Sequence, residues 1–212
     1  MLTELERATV RNMRERLEMW LVRANSWERT QAMLWYRKAN DVAVFLSAEY
    51  DITMEQAAAV LSVLSPGCPW EQNMTDANNV CQAWKQRTYD ATVNTYGPQL
   101  GKAYRILDKG KGKDAQAIEK MIGKKAPKTK AFYWNILEPE KDTQVTIDRW
   151  ILRALGMPVN RTTPQLYKLG SEAIRQVARK YQVLPQTMQA LVWVVIRRCG
   201  AELNVTMALP GF

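Results

Sequence analysis

The residues best suited to chemistry are an acid and a group of amines. Asp148 stands directly before the basic and apolar run Arg149-Trp150-Ile151-Leu152-Arg153, and Lys124, Lys125, Lys128 and Lys130 crowd a short segment broken by Gly123 and Pro127. A carboxylate at the first turn of a helix interacts favourably with the helix dipole, so Asp148 reads either as an ordinary N-cap or as a reacting acid. Backbone N–H groups at a helix start, ringed by lysines, suit a phosphate. The chain has no histidine. Ser–His and Cys–His catalysis are therefore excluded, and proton chemistry falls to Asp, Glu, Lys, Tyr or water. Cys68, Cys81 and Cys199 are too few for a four-ligand zinc site or a four-thiolate cluster. They read as buried, reduced thiols, and no metal, iron–sulfur cluster or other cofactor is expected.

The elements that must position these groups read as helices. Met13, Leu17, Trp20, Leu21 and Ala24 share one face of a first helix, and residues 27–48 form a second. Thr53-Met54-Glu55-Gln56 is a capping box, and Ser-Pro-Gly-Cys-Pro at 65–69 is a break. Helices are expected near 75–84 and 98–107, then from Asp114, from about Lys128, from 146–148, from Thr163-Pro164 and from Pro185. No strand pattern or internal repeat stands out, so the fold class is all-α.

Charge and composition narrow the class further. The chain carries a formal +9, and residues 102–130 hold ten Lys/Arg against Asp108, Asp114 and Glu119. A local excess of this size suits a polyanion, with DNA as the expected partner. The longest apolar run, residues 190–196, falls far short of the ~20 residues of a membrane span. The first residues lack the apolar core of a signal peptide. No membrane partner is expected, and the reading is a cytoplasmic monomer, associated with the nucleoid or with the cytoplasm of a phage-infected host.

Residues 121–157 add a resemblance. Val-Thr-Ile-Asp-Arg-Trp-Ile-Leu-Arg-Ala-Leu and the upstream Ala-Phe-Tyr-Trp-Asn-Ile resemble motifs of the helix-hairpin-helix (HhH-GPD) DNA glycosylase superfamily, especially archaeal 8-oxoguanine glycosylases and endonuclease III-like enzymes. Weaker similarity runs over residues 57–200. The resemblance implies a two-lobed helical fold with a central cleft. Residues 41–140 form the lobe with a degenerate hairpin; residues 1–40 and 141–212 form the lobe that carries the acid. It implies Asp148 as catalytic and Lys128, followed by Thr129, as the amine that forms a Schiff base. It places Gly123, Lys124, Lys125, Ala126, Thr129 and Lys130 on DNA, and Trp70, Asn73 and Trp150 around an extruded base.

The match departs from the family at three points. Lys124 and Ala126 occupy the hairpin's glycine positions, an ungapped alignment puts Pro127 at the lysine position, and Trp150 replaces a histidine. Lys128 is then either the nucleophile or a phosphate contact beside a water-using Asp148. The expected function is a DNA glycosylase, with or without abasic-site lyase activity. Two alternatives stand beside it: a phage-type enzyme transferring a group onto a modified thymine in DNA, and a non-catalytic DNA-binding relative.

Overall fold

Several helix starts in this chain are set by short polar side chains. Thr3 and Thr53 each close a capping box, with Glu6 and Gln56 answering from the third helical position. Asp114, Asp148 and Thr163 each accept hydrogen bonds from first-turn amides. A computed structural model describes residues 2–142, 144–159 and 163–203, with side chains as far as Cys199. Among the described residues there are ten helices and no strand: α1 (Glu4–Arg23), α2 (Ser26–Tyr50), α3 (Met54–Leu64), α4 (Trp70–Lys85), α5 (Gly97–Lys109), α6 (Ala115–Ile122), α7 (Pro127–Leu137), α8 (Arg149–Ala154), α9 (Pro164–Lys180) and α10 (Pro185–Leu203). The chain is all-helical, as its periodicity requires. None of these helices is long and apolar enough to cross a membrane.

One boundary differs clearly from the expectation. α4 begins at Trp70 rather than near residue 75, because Pro69 sits at the N-cap with φ −60° and its carbonyl accepts from the Asn73 amide at 2.8 Å. Asn73 and Asp76 are polar yet buried, so an apolar-periodicity reading misses the turns they occupy.

The described residues form two compact units, divided within α2 between Trp35 and Tyr36 and again between Thr146 and Ile147. In the central unit, from Tyr36 to Thr146, α3 is the core. It is buried on every face over residues 56–64 and is wrapped by α4, α5, α6 and α7. The buried Gln56 amide donates to the carbonyls of Ile106 (3.1 Å) and Leu107 (2.9 Å), tying α3 to the end of α5. Gly110 follows directly, and a Cβ there would collide with the Ile106 carbonyl and lie 2.8 Å from Ile118 Cδ1.

The terminal unit joins the residues before Tyr36 to those from Ile147 on. Here α1 packs on α8, α9 and α10, and α10 also packs on α8 and α9. Gly170 lets α9 close in, since an added Cβ would lie 2.9 Å from Leu155 Cδ1 and 3.0 Å from Ile147 Cδ1. Glu28, 1% exposed, receives Arg198 Nε at 2.7 Å and completes a capping box with Asn25 at the start of α2.

Candidate active site

Asp148 is placed by what precedes and follows it. Ile147 is buried, and its amide donates to the Tyr167 hydroxyl at 3.2 Å. The chain then turns into α8, with Asp148 as N-cap in an extended conformation (φ −101°, ψ −176°). Its Oδ1 accepts from the backbone N–H groups of Trp150 and Ile151, both at 2.9 Å. Its Oδ2 accepts from the indole N–H of Trp193 on α10, also at 2.9 Å. The side chain is half-buried.

Trp193 is itself held. Its ring lies 4.9 Å from that of Trp35, and the Arg197 guanidinium sits 4.6 Å above its centroid. Trp150, two residues after the acid, carries Arg153 at 4.7 Å in the same way. Trp20 of α1 donates to the Ala154 carbonyl at 3.2 Å and packs the end of α8.

A carboxylate has about four lone-pair sites. Two on Oδ1 are filled by amides and one on Oδ2 by the indole, leaving one acceptor site on Oδ2. The arrangement fixes the carboxylate's orientation and leaves one direction for a water, an amine or a developing positive charge.

The segment expected to form the hairpin, from the end of α6 to the first turn of α7, lies in the central unit. Gly123 adopts φ 132° and ψ 151°, a conformation that favours glycine. Lys124 and Lys125 are exposed at the turn. Ala126 is the N-cap of α7 and provides no side-chain cap, and Pro127 opens the helix. Lys128, Thr129 and Lys130 are half-buried in its first turn. Lys130 pairs with Glu119 of α6 at 3.1 Å, the Trp134 indole donates to the same carboxylate at 3.2 Å, and the Tyr133 hydroxyl donates to the Ala115 carbonyl at 3.1 Å. Lys130 therefore joins α6 to α7. Burial pushes the Tyr133 hydroxyl well above the usual phenol range.

The charge of this stretch is left for solvent by the way its acids are used. Asp108 accepts from Trp84 and Tyr89, Asp114 caps α6, and Glu119 holds Lys130. Lys111 pairs with Asp51. Lys109, Lys113, Lys120, Lys124 and Lys125 are exposed and have no acidic partner among the described residues.

The remaining expected site residues fall in both units. Trp70, on α4 in the central unit, packs edge-on against Phe132 at 6.1 Å. Asn73, on the same helix, is 1% exposed; its amide donates to the Leu61 carbonyl at 3.0 Å and its Oδ1 has no hydrogen-bond partner. Asp148 and Trp150 stand in the terminal unit; Lys128, the hairpin, Trp70 and Asn73 stand in the central one. Trp193, Trp35, Arg153 and Arg197 were not singled out by sequence reasoning. The i, i+3 spacing of Trp150 with Arg153 and the i, i+4 spacing of Trp193 with Arg197 hint at the stacked pairs. No local pattern links Asp148 to an indole 45 residues later.

The cysteines form no site. All three are free, with Cys81 and Cys199 buried and Cys68 half-buried. Burial, with the Asp76 carboxylate 3.7 Å away, pushes the Cys68 thiol up to about 11, and burial pushes Cys81 up to about 12. No group of three or more His, Cys, Asp or Glu among the described residues could hold a metal ion.

Comparison with curated proteins and with solved structures finds no match. A family model does match, over residues 2–199, nearly the whole chain: this protein belongs to the family described as Family of unknown function (DUF7178).

Proposed function

We propose that this protein is a DNA glycosylase of the helix-hairpin-helix type, with Asp148 as the reacting carboxylate. The observation that carries the reading is the carboxylate itself. It follows the buried Ile147 at the start of α8, three donors fix it, and one acceptor direction on Oδ2 remains open. That is the arrangement needed to stabilise the positive charge that builds on a deoxyribose as its base departs. The five lysines from the end of α5 to the turn before α7 that have no acidic partner among the described residues support the DNA half of the reading.

The chemistry is a displacement at the anomeric carbon. The bond to the base nitrogen breaks and its electron pair leaves with the base, which takes up a proton. A nucleophile then bonds to the sugar carbon. If the nucleophile is water, it loses a proton and leaves a free base and an abasic site. If it is the Lys128 amine, the amine loses a proton on bonding, the sugar ring's C1′–O4′ bond breaks to give a protonated Schiff base, and loss of a C2′ proton expels the 3′ phosphate and cuts the strand.

Duplexes carrying single oxidised, alkylated or deaminated bases provide the test. Free base should appear with wild-type protein and not with Asp148→Asn. Borohydride will trap a covalent adduct only if an amine attacks. Base release at full rate in Asp148→Asn would remove Asp148 from the active site.

A further inference from the structure

We infer that Arg153 and Arg197 form a second phosphate-binding surface, placed on the two tryptophans that flank Asp148 and directed at the DNA strand bearing the target nucleotide. The location rests on the proposed role of Asp148. Each guanidinium carbon lies over an indole, 4.7 Å from the Trp150 centroid for Arg153 and 4.6 Å from that of Trp193 for Arg197. A guanidinium held over a ring by cation–π attraction can keep N–H donors for phosphate oxygens. Both arginines are exposed, and neither has a carboxylate partner among the described residues.

The two tryptophans connect these charges to the acid, one through its indole and one through its backbone. Trp193 donates to Asp148 Oδ2, and the backbone amide of Trp150 donates to Oδ1. The Arg197 guanidinium is thus one ring away from the carboxylate, and Arg153 lies over the ring of the residue whose backbone amide binds it; the two stand on α10 and α8, which pack together. A strand brought to Asp148 carries phosphates that meet a like charge. Two pre-oriented guanidiniums offset that repulsion, and the ring contacts reduce the rotamer freedom lost on binding.

Fluorescence anisotropy with a labelled, undamaged duplex tests this without requiring chemistry. The salt dependence of binding is compared for wild type, Arg153→Gln/Arg197→Gln and Arg153→Lys/Arg197→Lys, with circular dichroism as the check on folding. Loss of two phosphate contacts should make the slope of log K against log salt shallower by about 1.8. The double Lys variant, which keeps both charges, should retain most of the slope. If the double Gln variant fails to fold, Arg197→Gln alone should lose about half as much. Equal slopes for wild type and the Gln variants would overturn the inference. A wild-type protein that does not bind DNA would overturn both this inference and the proposed function. The expected slope change without base release from any lesion would leave the surface standing and remove the glycosylase.

Discussion

The Asp148–Trp193 hydrogen bond gives a prediction that is independent of any reaction. In Asp148→Asn, the amide oxygen can still accept the Trp150 and Ile151 amides, and Asn is as good an N-cap as Asp. The amide nitrogen then takes the place of Oδ2 and faces the Trp193 indole N–H, donor against donor, across a 2.9 Å contact. A hydrogen bond to a charged group contributes roughly 1.5–3 kcal/mol. Because the carboxylate is half-buried, the lower end applies, and Asp148→Asn should cost about 1.5 kcal/mol. Trp193→Phe removes the donor while retaining a ring against Trp35, and should cost a similar amount. The double variant has no opposed donors, so its loss should be smaller than the sum of the two by about 1.5 kcal/mol. Urea denaturation of the four proteins measures this, with near-ultraviolet circular dichroism following the tryptophans. Additivity within about 0.5 kcal/mol would refute the coupling.

Other consequences can be checked together. Lys128→Gln should abolish borohydride trapping and slow base release if the lysine is the nucleophile; with a water-using Asp148, no adduct forms in either protein and base release is unchanged. Glu28 is held below its ordinary value of 4.5, chiefly by the Arg198 hydrogen bond, against the opposing effect of burial. Its stabilising effect is therefore complete above pH 4.5 and is lost as pH falls through the depressed value. Glu28→Gln should then lower stability at pH 7 by about 1–2 kcal/mol, and the difference from wild type in thermal melts should vanish on acidification; a difference that grew at low pH would contradict the assignment. With Cys68 pushed up to about 11 and Cys81 to about 12, neither should react with a thiol reagent at pH 8 unless the chain is unfolded. Rapid labelling in the native protein would contradict the burial of Cys81 and the raised thiol of Cys68.

The parts of the molecule set by local rules were legible in the residues. Thr53 with Gln56, Asp114, Asp148 and Thr163-Pro164 mark helix starts through chemistry that acts within four residues. The contacts that give Asp148 its setting are different in kind. Trp193 reaches it from another helix, and Trp35 and Arg197 hold that indole from the side. The pairings of Trp193 with Asp148 and Trp35 arise from packing and leave no periodic trace, whereas Arg197 lies one helical turn from Trp193. Asn73 shows the opposite failure. Its polarity favours a turn, yet the Leu61 carbonyl satisfies its amide inside the core, so tertiary structure overrides the composition signal. Lys130 reads as one more charge in a basic stretch until Glu119 is seen to occupy it.

The central claim concerns the bond that breaks. Mass spectrometry of the products from a panel of lesion-bearing duplexes, with wild type and Asp148→Asn in parallel, tests it most directly. A carboxylate about 4 Å from a developing unit positive charge, at an effective dielectric near 20, contributes about 4 kcal/mol, or roughly a thousandfold in rate. The account predicts free base in equal amount to new abasic or cleaved sites, and a loss of about that size in Asp148→Asn. A base that stays on the strand and gains mass, or release that is unchanged in Asp148→Asn, would contradict it.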